Sequence, residues 1–481
     1  MRRIFTLILL TFIGIQVLST EMIFKDNDSY PDIEFLHNTG VLDIDLNNLP
    51  LTSDALLSAI DNAVLVNQKG KISISTVEET ILNKLIRRFN GDNFILREKA
   101  SIYKNVSINS EKDTVPFHFL NIVYFSKSVS HGIIAFDIKT IYPYKNTDST
   151  LYRMDEWNST GSDNNNTFIG YYNRAGFILF GRILPAWGQG IADNIFLSNK
   201  ILPMDGILAD FKSGKFSLSF YLVNKNEYHF SNKNSTGNVY LSAHKISADL
   251  PFKTYFALKE MIIYKSNLPQ LYYLNPVMTY YIAQYNSHSD DNVFWSLELT
   301  NRKIKGLLLS GELFIDDFQY EKEDYYIPNK IGFLTSVAYS PDMIDNIVLY
   351  GEYCRMNTYT NTHEYPQLAY MYYKVPMSYM SGTDMDNILF GITYRPLNFL
   401  SVRWNVSHLR RGEGVLTNSW ETERPEVSPD FPSGNITQTL STALSLEADP
   451  FKWLKINLNA EGRRKRENKE LILTGYLTVT L

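Results

Sequence analysis

Residues 471–481 read LILTGYLTVTL, and their alternation decides the fold. Leu471, Leu473, Gly475, Leu477, Val479 and Leu481 form one row; Ile472, Thr474, Tyr476, Thr478 and Thr480 form the other. Side chains of a strand point to opposite faces with a period of two, so one face is apolar and the other mostly hydroxylated. Segment 452–462 repeats the pattern, with Leu454, Ile456, Leu458 and Ala460 opposing Lys455, Asn457, Asn459 and Glu461. Segment 398–408 sets Leu400, Val402, Trp404 and Val406 against Ser401, Arg403, Asn405 and Ser407. Segments 305–316 and 215–223 do the same. The apolar face persists for about 9–11 residues, the length of a tilted strand crossing a bilayer.

The connections strengthen this reading. Strands are expected from 93–106 through 470–481, eighteen in all, including weaker ones at 166–173 and 205–211. The gaps between them alternate short and long. Short ones fall at SVS, RA, KSG, PFK and PL; long ones include 184–204, 265–291, 356–386 and 409–436. Outer-membrane barrels have an even strand number, short periplasmic turns and long external loops. A soluble sandwich has no reason to alternate its gaps. The expected fold is therefore all-β, a transmembrane antiparallel barrel of about 18 strands. The long segments 184–204, 265–291 and 356–386 are expected to fill its mouth.

The front of the chain differs. Arg2 and Arg3 precede a mostly apolar run from Ile4 to Leu18, too short to span as a helix and suited to a secretory signal over residues 1–20. Residues 21–92 form a periplasmic helical segment, and 93–481 the barrel. Helices are expected at 52–66, begun by Thr52 or Ser53, and at 75–90, where Ser75 with Glu78 and Thr76 with Glu79 have capping-box spacing. Residues 21–50 give no clear element. Across all 481 residues only 20% are charged while 14% are aromatic, too many aromatics for a disordered chain. The net charge of -5 argues against nucleic acid as a partner. One cysteine, Cys354, excludes an internal disulfide and a cysteine-based zinc site.

At 181–190 the chain reads GRILPAWGQG, followed by LNP at 274–276, DN at 291–292, GELFIDDF at 311–318 and YGEY at 350–353. In this order, after a signal and a helical start, the chain resembles the capsule-assembly Wzi family. The resemblance implies an 18-stranded outer-membrane barrel, occluded by external segments, that acts as a lectin for acidic capsular polysaccharide. The segment MSGTDMDN at 380–387 departs from the Gly-Ala-Asn-rich stretch expected there.

Candidate ligand residues follow from side-chain chemistry. Trp187 offers a face for sugar rings, and Arg182 and Gln189 offer bonds to carboxylates and hydroxyls. Trp187 equally suits packing a loop over the mouth. Asn275 and Asn292 are candidates that also suit turns. Arg463, Arg464, Lys465 and Arg466 form the one dense basic cluster, placed in the loop between the last two strands and facing outward to acidic polysaccharide, lipid phosphate or solvent. Glu312, Asp316 and Arg403 are expected in the lumen. No G-x-S-x-G, P-loop, H-E-x-x-H or calcium-loop spacing is present, so no enzyme and no cofactor is expected. The alternatives are a diffusion porin and, further off, a barrel enzyme acting on lipid or glycan. The expected partners are surface polysaccharide and outer-membrane lipids, for a monomer in the bacterial outer membrane.

Overall fold

A computed structural model describes residues 20–70, 72–90, 94–108, 118–129, 131–144, 157–226, 238–318, 328–373, 375–379, 382–451, 454–465 and 468–480. Residues 1–19 of the expected signal segment thus lie outside the described residues. The wall comprises β1 (Phe94–Ile108), β2 (His118–Val129), β3 (Gly132–Tyr142), β4 (Thr167–Asn173), β5 (Gly176–Ile183) and β6 (Met204–Ser213). It continues through β7 (Phe216–Asn224), β8 (Asn238–Leu250), β9 (Thr254–Ser266), β10 (Asn292–Asn301), β11 (Leu307–Asp317) and β12 (Lys330–Tyr339). It ends with β13 (Ile347–Met356), β14 (Met385–Leu397), β15 (Leu400–Arg411), β16 (Thr437–Phe451), β17 (Leu454–Lys465) and β18 (Asn468–Thr480). Each strand runs antiparallel to the next, and β18 returns to β1 with Leu471 opposite Ile108. A short piece, Gly161–Asp163, pairs with β3 beside β4 and makes one interrupted strand of the two. Among the described residues the wall is therefore a closed barrel of eighteen strands, as the gap lengths and period predict. Closure leaves no strand edge unpaired, which a hydrocarbon environment requires.

The barrel is inside-out relative to a soluble protein. Along β10, Asn292, Phe294, Ser296, Glu298 and Thr300 point inward and are buried, whereas Leu297 and Leu299 point outward and are exposed. Glu298 is 1% exposed and Leu299 is 52% exposed. On β11, Ser310 and Glu312 face inward while Leu309 and Leu313 face out. Such a pattern is stable only where the exterior meets hydrocarbon. No helix among the described residues is long and apolar enough to cross a membrane.

The end with the short turns is stoppered by residues 20–90. Helices α1 (Tyr30–Asn38), α2 (Ser53–Gln68) and α3 (Thr76–Phe89) build this unit. Thr52 caps α2, its hydroxyl accepting from the Ala55 amide at 3.2 Å. Ser75 and Glu78 form the reciprocal capping box of α3, at 3.2 and 2.8 Å. Thr76, the other spacing match, is the first residue of that helix. The apolar faces of all three helices share a core with the inward-facing Leu308, Ala338 and Val348 of β11–β13. The unit thus sits in the mouth of the barrel. Ion pairs fix it: Arg395 with Asp32 at 2.5 Å, Lys84 with Asp32 at 3.0 Å and with Asp449, and Arg403 with Glu34 at 3.5 Å.

Asp32 gives the stopper an acid limit. Burial works to raise its pKa, but the Arg395 and Lys84 charges outweigh burial and hold it below the ordinary carboxylate value. A depressed carboxyl contributes stability above its unfolded pKa, lost as pH falls through the folded one. Protease protection of residues 20–90 should therefore persist to below about pH 4 and then fail. In Arg395→Gln, burial prevails over the remaining Lys84 charge, and protection should fail at a higher pH. Superimposable pH curves would exclude this ion pair as the lock. His37, held neutral well below its usual range by burial and by Arg302, adds a loss that begins as pH falls through the ordinary imidazole range and is shared by both proteins.

At the opposite end the long connections do not all turn inward. Segments 184–203 and 357–384 enter the lumen, as predicted. Segment 267–291 does not fill the mouth: it folds down over the outer face of β8–β10. The reason is local. Tyr240, Ile262 and Tyr264 occupy outward positions of β8 and β9, and they pack with Tyr273 and Tyr280 of the segment.

Candidate ligand-binding site

Segment 184–203 is too apolar for an external loop, and it supplies the centre of the lumen. Ala186 and Trp187 pair antiparallel with Leu49 and Asn48 of the stopper. Trp187 is completely buried, 6.5 Å from the rings of both Phe196 and Tyr221, with the Lys245 ammonium 5.1 Å from its own. Gly188 has φ of 133°, and a Cβ there would meet the Glu312 carboxylate at 3.1 Å, so the close turn requires glycine. Trp187 is thus a packing residue inside the barrel and not a stacking platform on an external segment.

Polar groups pin this segment to the wall. Lys259, buried, bonds Glu298 at 2.8 Å and Glu312 at 2.7 Å. Ser296 donates to Glu312 at 2.5 Å. Lys245 donates to the Asn47 carbonyl at 3.0 Å and to Asn48 Oδ1 at 2.9 Å. Glu352 accepts from the Ile191 amide at 2.5 Å and from the Tyr379 hydroxyl at 3.0 Å. Above lies segment 357–384, where the Tyr370 ring lies tilted 4.5 Å from Phe294 and its hydroxyl donates to the Phe196 carbonyl. Asp384, in the middle of MSGTDMDN, accepts from Gly414 and Ser433 amides and from the Thr358 hydroxyl. That stretch ties external loops to one another.

The remaining predicted residues are scattered. Arg182 is clamped by Asp205 at 2.8 Å and Asp163 at 3.0 Å. Gln189 lines a lumen cavity of about 70 Å³ with Lys25, Tyr30, Glu34 and Arg403. Asn275 is an exposed turn residue whose Oδ1 accepts from the Val277 amide at 3.2 Å, in the segment that folds outside. Asn292 is buried and donates to the Leu368 carbonyl at 3.0 Å. The basic cluster is not a loop: Arg463, Arg464 and Lys465 belong to β17, and Arg466 lies outside the described residues. The last hairpin is simply tighter than its charges suggest. Arg463 also makes a two-pronged bond to Glu461, at 2.7 and 3.0 Å. The structure therefore does not bring the predicted residues into one site.

A different site emerges from where the lumen is wet. Inward positions of β9–β13 are closed off by the segments packed against them. Those of β15–β17 are not. Asn405 and Ser407 on β15, Thr439, Ser441 and Ser445 on β16, and Asn457, Asn459 and Glu461 on β17 all face the lumen and remain partly exposed. Arg403 is exposed among them, and its partner is Glu34 from the stopper. At the rim above, Arg411 and Arg463 hold inward positions and Arg464 an outward one, all three exposed. Hydroxyls and amides below, with guanidinium groups above, match the donors and acceptors of an acidic glycan. Sequence reasoning missed Arg411, Asn405 and Ser441. Their alternation marks them as lumen-facing, but nothing in the period says which wall the interior leaves uncovered. Among the described residues no cluster of three or more His, Cys, Asp or Glu could hold a metal.

No family model matches this chain, and no curated protein matches it. Solved structures do. Wzi of Escherichia coli, described as an outer-membrane protein involved in group 1 capsule assembly and a carbohydrate-binding β-barrel, superposes with a TM-score of 0.66 at 12% identity, covering 95% of this chain and 99% of that one. OccK8 (OprE) of Pseudomonas aeruginosa gives a TM-score of 0.48 at 9% identity, over 81% and 98% of the two chains. OprD of the same organism gives 0.47 at 10%, over 81% and 94%. At such identities the likeness to Wzi is one of fold: this chain has the architecture of a bacterial outer-membrane β-barrel.

Proposed function

We propose that this chain is an outer-membrane lectin that holds an acidic surface polysaccharide, and that it is related in function as well as fold to the carbohydrate-binding Wzi barrel. The stoppered, short-turn end faces the periplasm and the long-loop end the exterior, by the usual asymmetry of such barrels. The glycan lies at the external rim, its carboxylates on Arg411, Arg464 and Arg463 and its hydroxyls toward Asn405, Ser407 and Ser441. The observation that carries this reading is the divided lumen: filled along β9–β13, lined with hydroxyls and amides and accessible along β15–β17. Filling by residues 20–90, 184–203 and 357–384 weighs against a diffusion porin. The absence of a catalytic motif weighs against a barrel enzyme.

The test is binding of an acidic capsular polysaccharide to the detergent-solubilised barrel, with a neutral glycan as control. Charge-assisted bonds contribute about 1.5–3 kcal/mol each when well made and less when exposed. Arg411→Gln with Arg464→Gln should weaken binding roughly tenfold at low salt. The difference should shrink at physiological salt, where exposed charges are screened beyond about 8 Å. Full binding by the double variant would remove the rim from the site. A large, stable bilayer conductance in the unmodified protein would favour the porin instead.

A further inference from the structure

The outward row of β9 reads Phe256, Leu258, Glu260, Ile262 and Tyr264, and that of β8 reads Tyr240, Ser242, His244, Ile246 and Ala248. In both, the half nearer the short turns is apolar and exposed. The other half carries groups that hydrocarbon does not tolerate, among them a carboxylate and an imidazole. Segment 267–291 covers that half. Its helix α4 (Tyr280–Ser287) presents its N-terminus to Glu260, which accepts from the Tyr280 amide at 2.8 Å and the Tyr281 amide at 2.9 Å. The Trp295 indole donates to the same carboxylate at 2.8 Å, and His244 lies 3.3 Å away. Helix dipole and donors together leave Glu260 only 4% exposed and fully bonded. Around it the His244–Tyr280 rings lie 4.5 Å apart, Tyr264–Tyr273 4.7 Å and Tyr281–Trp295 5.1 Å.

The outer surface of this flap is apolar in turn. Leu268, Leu271, Val277, Ile282 and Tyr285 are all more than half exposed, Leu271 at 82%. Ile246, Leu258 and Leu297, at outward positions of the strands on which the flap is docked, are exposed as well. Scattered exposed leucines are ordinary, but five large apolar side chains exposed on one segment docked on a lipid-facing wall mark a surface with the same solvent.

We propose that residues 267–291 are a lipid-contacting flap, docked on the outside of the barrel by Glu260 and presenting Leu271, Val277 and Ile282 to the acyl chains of the outer leaflet just beneath the headgroups. The partner is lipid hydrocarbon, and the flap stands apart from the glycan site proposed on β15–β17. It replaces the apolar surface that the upper halves of β8 and β9 lack.

The test uses Leu271→Cys and Ile282→Cys in the full chain, each carrying an environment-sensitive fluorophore. Cys354 is buried and does not compete for label. The proteins are reconstituted in phosphatidylcholine vesicles containing either a nitroxide on the upper acyl chain or plain lipid with external iodide. Asn418→Cys, on an exposed external loop, serves as the water-facing reference. The gel-mobility shift on boiling reports an intact barrel in every variant. The expected result is several-fold quenching by nitroxide lipid at 271 and 282, little by iodide, and the reverse at 418. Quenching at 271 and 282 by iodide alone would overturn the proposal and make the segment a solvated loop. Quenching by neither, with cross-linking between copies through these positions, would overturn it in favour of a protein interface. Because no glycan takes part, failure here leaves the lectin reading standing, and failure of glycan binding leaves the flap.

Discussion

Lys259→Met is expected to lower barrel stability by about 3–5 kcal/mol, because it leaves Glu298 and Glu312 facing one another as buried carboxylates. All three groups are essentially inaccessible. The loss is one of charge compensation, since methionine fills nearly the same volume. The temperature at which the fast-migrating gel band gives way to the unfolded band should fall accordingly. The control distinguishes charge from packing. In Lys259→Met combined with Glu298→Leu and Glu312→Leu, none of these three charges remains buried, and much of the lost stability should return. A single variant as stable as the parent would mean that water reaches this cluster.

Trp187→Ala should act on the interior more than on the wall. Removing a fully buried tryptophan from contact with Phe196, Tyr221 and Lys245 costs about 3–5 kcal/mol. The wall keeps every interstrand hydrogen bond, so the gel shift on boiling should persist. What loosens is the 184–203 segment and its pairing with Asn48–Leu49. Planar-bilayer conductance should rise from near zero to discrete openings, and proteolysis within 184–203 should accelerate. Glycan binding at the rim should change little, since Trp187 does not face it. Unchanged conductance would show that the other lumen segments close the barrel unaided.

The strands were legible because membrane strands obey two simple rules at once, a period of two and alternating gap lengths. Both survive without knowledge of neighbours. Helix α1 was not legible: polar Asp32 and His37 are buried together with Tyr30, Ile33, Phe35 and Leu36, so the buried face does not read as an apolar stripe. Its nine residues fall within a stretch that looks merely mixed. The candidate site was harder still. Trp187 beside Gly188 and Gly190 suits an exposed sugar platform as well as a lumen core, and the choice depends on contacts with residues 48, 221 and 245. The flap did leave a signal, a carboxylate at Glu260 breaking an otherwise apolar outward row. Such a break needs an explanation even before the covering segment is known.

The divided lumen also has an evolutionary meaning. Inward side chains along β9–β13 are committed to packing, and a change in any of them disturbs a neighbour. Those on β15–β17 touch water, so Ser, Asn and Thr there can be exchanged at small cost to stability. The chain therefore keeps its capacity for change on one wall; under the proposed lectin reading, that is where selectivity can drift from one surface polymer to another while the rest of the barrel stays fixed.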